Sequence, residues 1–76
     1  MGKPIIMVSS ITYAMKGRDL LNSRGYTAYL QRTPKLEGMN GCGYSIHVPY
    51  HIDSAEMLLR QSGIKVLGQM VWEDEG

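Results

Sequence analysis

The segment Leu20-Leu21-Asn22-Ser23-Arg24-Gly25-Tyr26 recurs in outline 38 residues later as Leu58-Leu59-Arg60-Gln61-Ser62-Gly63-Ile64. The same offset pairs Ala28 with Val66 and Gln31 with Gln69. Each copy reads as a helix end, a glycine suited to the left-handed position that stops a helix, and the entry to a strand. A chain of 76 residues holds one domain at most, so both copies must share one core. Two helix–strand halves packed on a single sheet meet that demand.

The other elements fit between the copies. Pro4-Ile5-Ile6-Met7-Val8 is apolar throughout and reads as a buried strand ended by Ser9-Ser10. Those serines are N-cap candidates for a helix running from about Ile11 to Arg24. Its inner face carries Ala14, Gly17, Leu20 and Leu21, while Lys16, Arg18, Asp19 and Asn22 fall mainly toward solvent. Tyr26 to Gln31 alternates as a strand, with Tyr26, Ala28 and Leu30 on one side, and Thr33-Pro34 closes it. Residues 33–43 then form a loop containing Gly38, Gly41 and Gly43. Tyr44 to Val48 resumes the alternation until Pro49. Asp53 or Ser54 is the expected cap of a second helix, with Ala55, Leu58 and Leu59 inward, and Ile64 to about Val71 is the last strand. The domain is expected to span 1–72, with 73–76 an acidic tail and Trp72 already fraying.

The order β-α-β-β-α-β belongs to the ferredoxin-like, α+β two-layer sandwich: a four-stranded antiparallel sheet with both helices on one face. The opposite face is expected to carry Thr27, Tyr29, Ser45, His47, Lys65, Leu67 and Gln69.

Composition narrows the function. Hydrophobic residues at 43% and charged residues at 20% describe an ordinary globular domain. Six methionines and no phenylalanine imply a soft core of Met, Leu, Ile and Tyr. Residues 1–72 hold eight basic and four acidic groups, because Glu73, Asp74 and Glu75 cluster at the end. That is a mild pull on small anions, without the basic run that would point to nucleic acid. The apolar run Ile5 to Val8 is too short for a signal segment or a membrane span. A single cysteine forms no internal disulfide and lacks the companions of a zinc site. The expectation is a reducing cytoplasm, with no metal and no cofactor.

The lone thiol, Cys42, stands between Gly41 and Gly43. In the expected topology, the end of the first strand, the start of the first helix and the loop from the second strand to the third share one rim. Ser9, Ser10 and Thr12 then lie on the same rim as Cys42. The free N–H groups and partial positive charge of a helix start favour an anion such as a thiolate, and Arg32 and Lys35 add charge. The expected result is a thiol more acidic and more reactive than a free cysteine, left uncrowded by its glycines. The same spacing equally suits Cys42 as a small buried hydrophobe that opens the third strand. His47 and His51 are four apart, but Pro49 between them removes a helical metal pair. Ser10, His47 and Asp53 lack a nucleophile-elbow sequence, and capping explains Ser10 better.

The run Ser10-Ile11-Thr12-Tyr13-Ala14-Met15-Lys16, then Leu20-Leu21 and Gly25, Thr33-Pro34-Lys35, and Cys42-Gly43 resembles a small bacterial family of selenium/sulfur carrier-like proteins. Members show a Ser/Thr-rich helix start, a Leu-Leu-x3-Gly helix end, a Thr-Pro-Arg-type turn and a Ser-x-Cys-Gly-type loop. The resemblance covers about residues 6–71 and ends on the second helix, Gly63 and the strand to Val71. Here Asn40 stands where the family has Ser, and Lys35 where it has Arg.

The resemblance implies a carrier rather than a catalyst. Cys42 would accept sulfur or selenium as persulfide or selenosulfide from a cysteine desulfurase-like donor, then pass it to an acceptor protein. Ser9, Ser10, Thr12, Arg32, Lys35, Gly41 and Gly43 would support it. The alternative is a non-catalytic interaction or homodimerisation module that uses the open sheet face (Tyr29, His47, Leu67) while Cys42 only packs. A third reading, redox sensing through a sulfenic acid at Cys42, would need a resolving thiol from outside.

Overall fold

The computed structural model describes residues 2–32 and 44–73. The elements are β1 (Gly2–Val8), α1 (Ile11–Ser23), β2 (Tyr29–Arg32), β3 (Tyr44–His47), α2 (Ile52–Gln61) and β4 (Val66–Glu73). The strands form one sheet in the order β2-β3-β1-β4, with every neighbouring pair antiparallel. This is the expected α+β, ferredoxin-like arrangement.

The core lies between the sheet and the two helices. Ile6 and Val8 of β1, Ile46 of β3 and Val66 of β4 meet Ala14 and Leu21 of α1 and Ala55 and Leu59 of α2. Gly17 is the closest point of that packing. A Cβ built on it would stand 2.6 Å from Ile46 Cδ1 and 3.1 Å from Leu59 Cδ2, so α1 settles onto β3 only because this residue has no side chain.

The repeat in the sequence is a repeat of helix ends. Gly25 and Gly63 have φ of 90° and 84°. In α1, Gly25 N–H donates to Asn22 O and Tyr26 N–H to Leu21 O; in α2, Gly63 N–H donates to Arg60 O and Ile64 N–H to Leu59 O. Both are Schellman motifs, which satisfy the last helix carbonyls and turn the chain back to the sheet. Leu21 and Leu59 are fully buried beneath them.

Several boundaries differ from the sequence reading, each for a local reason. β2 begins at Tyr29 rather than Tyr26, because Tyr26 belongs to the helix stop and Ala28 is held by a side chain. Asn22 Nδ2 donates to Ala28 O at 3.2 Å, and Ala28 N–H donates to Asn22 Oδ1 at 3.1 Å. Neither Asp53 nor Ser54 caps α2. His51 is the N-cap, in the left-handed region at φ 57°, with no side-chain cap bond. Asp53 sits inside the first turn, where its Oδ1 accepts from Gln69 Nε2 at 3.1 Å.

β1 begins at Gly2, two residues earlier than expected, and so takes Pro4 into a central strand. That is tolerated because Pro4 lies opposite the end of β3, where its carbonyl accepts from Val48 N–H at 3.1 Å. β4 starts later and ends later than expected: Trp72 pairs with Lys3 and Glu73 with Gly2, so both belong to the strand.

The register shifts between Met7 and Val8, which leaves Leu67 unmatched as a bulge. Gln69 pairs with Ile6, on the helix side, rather than lying on the opposite face. That opposite face is also less open than expected. Ser45 and Ile5 point away from the helices, yet both have 0% exposure. Ile5 sits between His47 and Met70, and Ser45 between Met7 and Gln31.

Candidate functional site

The rim that the sequence analysis singles out is built by three connections. β1 ends at Val8, which pairs with Val66, and Ser9 N–H donates to Lys65 O at 3.3 Å. Ser10 follows with extended backbone, at φ −155° and ψ 160°, and its Oγ accepts from Tyr13 N–H at 3.2 Å. Serine is the N-cap of α1, as its residue type suggests. The first turn of α1 contains no acidic residue, so no carboxylate offsets the partial positive charge of the helix start there.

On the neighbouring strands, Arg32 pairs with Tyr44, Gln31 with Ser45, and Ser45 with Met7. The C-terminal end of β2 and the N-terminal end of β3 therefore lie at the same edge as the end of β1. Adjacent strands are ~4.8 Å apart, which puts Tyr44 one strand, and Arg32 two strands, from the point where α1 begins. Ser9 is half-buried, while Thr12 and Arg32 are exposed. Among the described residues no carboxylate pairs with the Arg32 guanidinium.

The structure thus gathers Ser9, Ser10, Thr12 and Arg32 on one rim. Cys42, Lys35, Gly41 and Gly43 lie outside the described residues. The segment 33–43 departs from Arg32 and returns at Tyr44, both of them on this rim.

Other candidates have separate structural tasks. His47 is half-buried, and its Nδ1 donates to Pro4 O at 3.0 Å, since a carbonyl can only accept. Its ring stacks on Tyr29 with centroids 5.9 Å apart and 26° between the planes. Ser10 caps α1, His47 holds Pro4 and Asp53 holds Gln69, so the three form no triad. The sequence reading gave no role to the opposite rim, where two shallow cavities of about 520 and 540 Å³ share Arg24, Tyr26 and Ser54. No residue pattern announces them, because α1 and α2 reach that rim only in the fold. Among the described residues no helix is long and apolar enough to cross a membrane.

A family model described as Putative Se/S carrier protein-like matches residues 3–70. The chain belongs to that family. The match takes in the whole rim, the 33–43 segment with Cys42, and both Schellman glycines. No curated protein and no solved structure matches the chain.

Proposed function

We propose that this member of the family carries sulfur or selenium on Cys42, as a persulfide or selenosulfide. The observation that carries the reading is the family match across residues 3–70, which takes in the chain's one cysteine. The rim geometry supports it. Cys42 is two residues from Tyr44, so covalent reach alone keeps the two within ~7 Å. Tyr44 lies one strand from a helix start that has no acidic residue in its first turn.

The transfer balances without an external oxidant. The Cys42 thiolate attacks the outer sulfur of a donor persulfide; a new S–S bond forms at Cys42, the donor's S–S bond breaks, and the donor's thiolate leaves. Delivery reverses the roles, with an acceptor thiolate taking the outer atom. The positive end of α1, with Arg32 and Lys35, favours the anionic sulfur at both stages. Partners are then a cysteine desulfurase-like donor and a downstream acceptor protein, in a reducing compartment such as the cytoplasm, where no second thiol of this chain competes.

Incubation with a cysteine desulfurase and cysteine, followed by intact mass, tests the reading. One added sulfur on the wild type and none on Cys42→Ser is the expected result. No addition, or equal addition to both proteins, overturns it.

A further inference from the structure

Transfer of sulfur between proteins requires the donor's persulfide to reach Cys42. On the carrier reading, the rim where the 33–43 segment departs and returns is therefore also a protein interface. Arg32 stands at the end of β2, and Lys65 precedes β4, its carbonyl accepting from Ser9 N–H at 3.3 Å. With the strand order β2-β3-β1-β4, these two residues flank the rim, three strand spacings or ~14 Å apart. Tyr44, through which the chain returns from Cys42, lies between them. Both cations are exposed, and among the described residues neither has a carboxylate partner.

The described carboxylates lie away from this rim. Asp19, in the third turn of α1, pairs with Arg18 at 3.0 Å, and Glu56, in the middle of α2, accepts from Arg60 at 2.9 Å. Asp53 is in the first turn of α2 and Glu73 pairs with Gly2, both toward the opposite end of the sheet. Beside the two cations, the start of α1 exposes a pair of apolar side chains one helical turn apart, Ile11 at 41% and Met15 at 45%. Apolar contact ringed by charge is the usual make-up of a transient protein interface.

We propose that this rim docks a protein donor through an acidic face, with carboxylates around the donor's persulfide meeting Arg32 and Lys65. A separation of ~14 Å suits an extended surface rather than one small anion, and an interface of ~800 Å² per partner covers it. Two isolated cations without a basic run do not track a phosphate backbone. Complementary charge of this kind acts mainly on the rate of encounter. The proposal rests on the carrier reading and adds the chemistry of the donor's docking face.

Initial rates of Cys42 loading, read by intact mass, test it with two donors: a cysteine desulfurase supplied with cysteine, and cysteine persulfide alone. Far-UV circular dichroism controls for folding. With the desulfurase at low salt, Lys65→Glu should slow loading about fivefold or more, and Lys65→Arg should keep the wild-type rate. The difference should shrink in high salt, because exposed charges are screened. Arg24→Glu makes the same charge change at the opposite end and should load at the wild-type rate. With cysteine persulfide all four proteins should load alike, within about twofold, since Lys65 is two strand spacings from Tyr44. A Lys65→Glu chain that the desulfurase loads at the wild-type rate overturns the proposal and leaves the carrier reading intact. Equal slowing by Arg24→Glu overturns it as an effect of net charge, and equal slowing with both donors overturns it as an effect on the thiol. Loading that slows as the chain alone is concentrated places a second copy on the rim and overturns it too. Where neither donor loads the wild type, the carrier reading fails and this proposal falls with it.

Discussion

Gly17 of α1 and Ile46 of β3 are so close that a Cβ on the glycine would lie 2.6 Å from Ile46 Cδ1. Ile46 is fully buried, so it has little room to withdraw. An alanine at position 17 gains up to ~1 kcal/mol of helix propensity, set against an overpacking cost of roughly 1–3 kcal/mol. Gly17→Ala should therefore come out near neutral or mildly destabilising. Gly17→Val adds bulk without that compensation and should lose about 2–3 kcal/mol. Urea unfolding midpoints check both, and a valine variant as stable as the wild type would show that the contact is not tight.

Gly25 and Gly63 have positive φ, and nothing lies within 4 Å of a Cβ at either position. The strain of a substitution is then purely conformational. Gly25→Ala and Gly63→Ala should each cost about 1–2 kcal/mol, and the double variant close to the sum, because the sites are separate. Asn at either position should cost less than Ala, since Asn tolerates the left-handed region better. Thermal unfolding of the four single variants would expose the idea as wrong if Asn and Ala were equivalent.

Asn22 looks like a solvent-facing helix residue, yet it both donates to and accepts from the backbone of Ala28. Removing both bonds in Asn22→Ala should cost about 1–3 kcal/mol, at ~0.5–1.5 kcal/mol each. Asn22→Asp keeps the acceptor for Ala28 N–H but turns a carboxylate toward Ala28 O, so it should not recover the loss at pH 7. Hydrogen exchange at Ala28 N–H is the direct measurement, with faster exchange in the alanine variant.

The hydrogen bond from Arg60 at 2.9 Å, helped by Gln69, holds the Glu56 carboxyl below its usual range. A lowered folded value means that the ionised form favours the folded state. That contribution is complete above the unfolded value of ~4.3 and disappears as pH falls through the lower folded value. Glu56→Gln should thus cost a few tenths of a kcal/mol at pH 7, in the range of exposed i,i+4 pairs, and nothing near pH 2. Equal loss at both pH values would assign the effect to packing instead.

Arg32 ends β2 on the rim where the 33–43 segment departs. If its charge favours the thiolate, Arg32→Ala should slow alkylation of Cys42 by iodoacetamide roughly two- to fivefold, the range of a ~0.5–1 kcal/mol surface charge effect. The difference should shrink in high salt, because exposed charges are screened. An alkylation rate unmoved by the substitution at low salt would remove Arg32 from the site.

Sequence alone determined the element order, the fold class and both helix stops, because each rests on a local signal. The two Leu-Leu-x3-Gly segments fix where α1 and α2 end, since only glycine enters the left-handed position without strain. Ser10 marks the start of α1 in the same way, and strand topology then places Ser9, Thr12 and Arg32 on its rim. Tertiary structure decided whatever depends on register or on a distant partner. The bulge at Leu67, opposite the step from Met7 to Val8, puts Gln69 on the side of Asp53, and no alternation within β4 records where its register slips. α2 starts at Ile52 with His51 as its N-cap, and Asp53, inside the first turn, is engaged across the fold by Gln69 instead of capping the helix. Gly17 reads in sequence as a weak helix residue, and only the approach of Ile46 makes its missing side chain a requirement of packing.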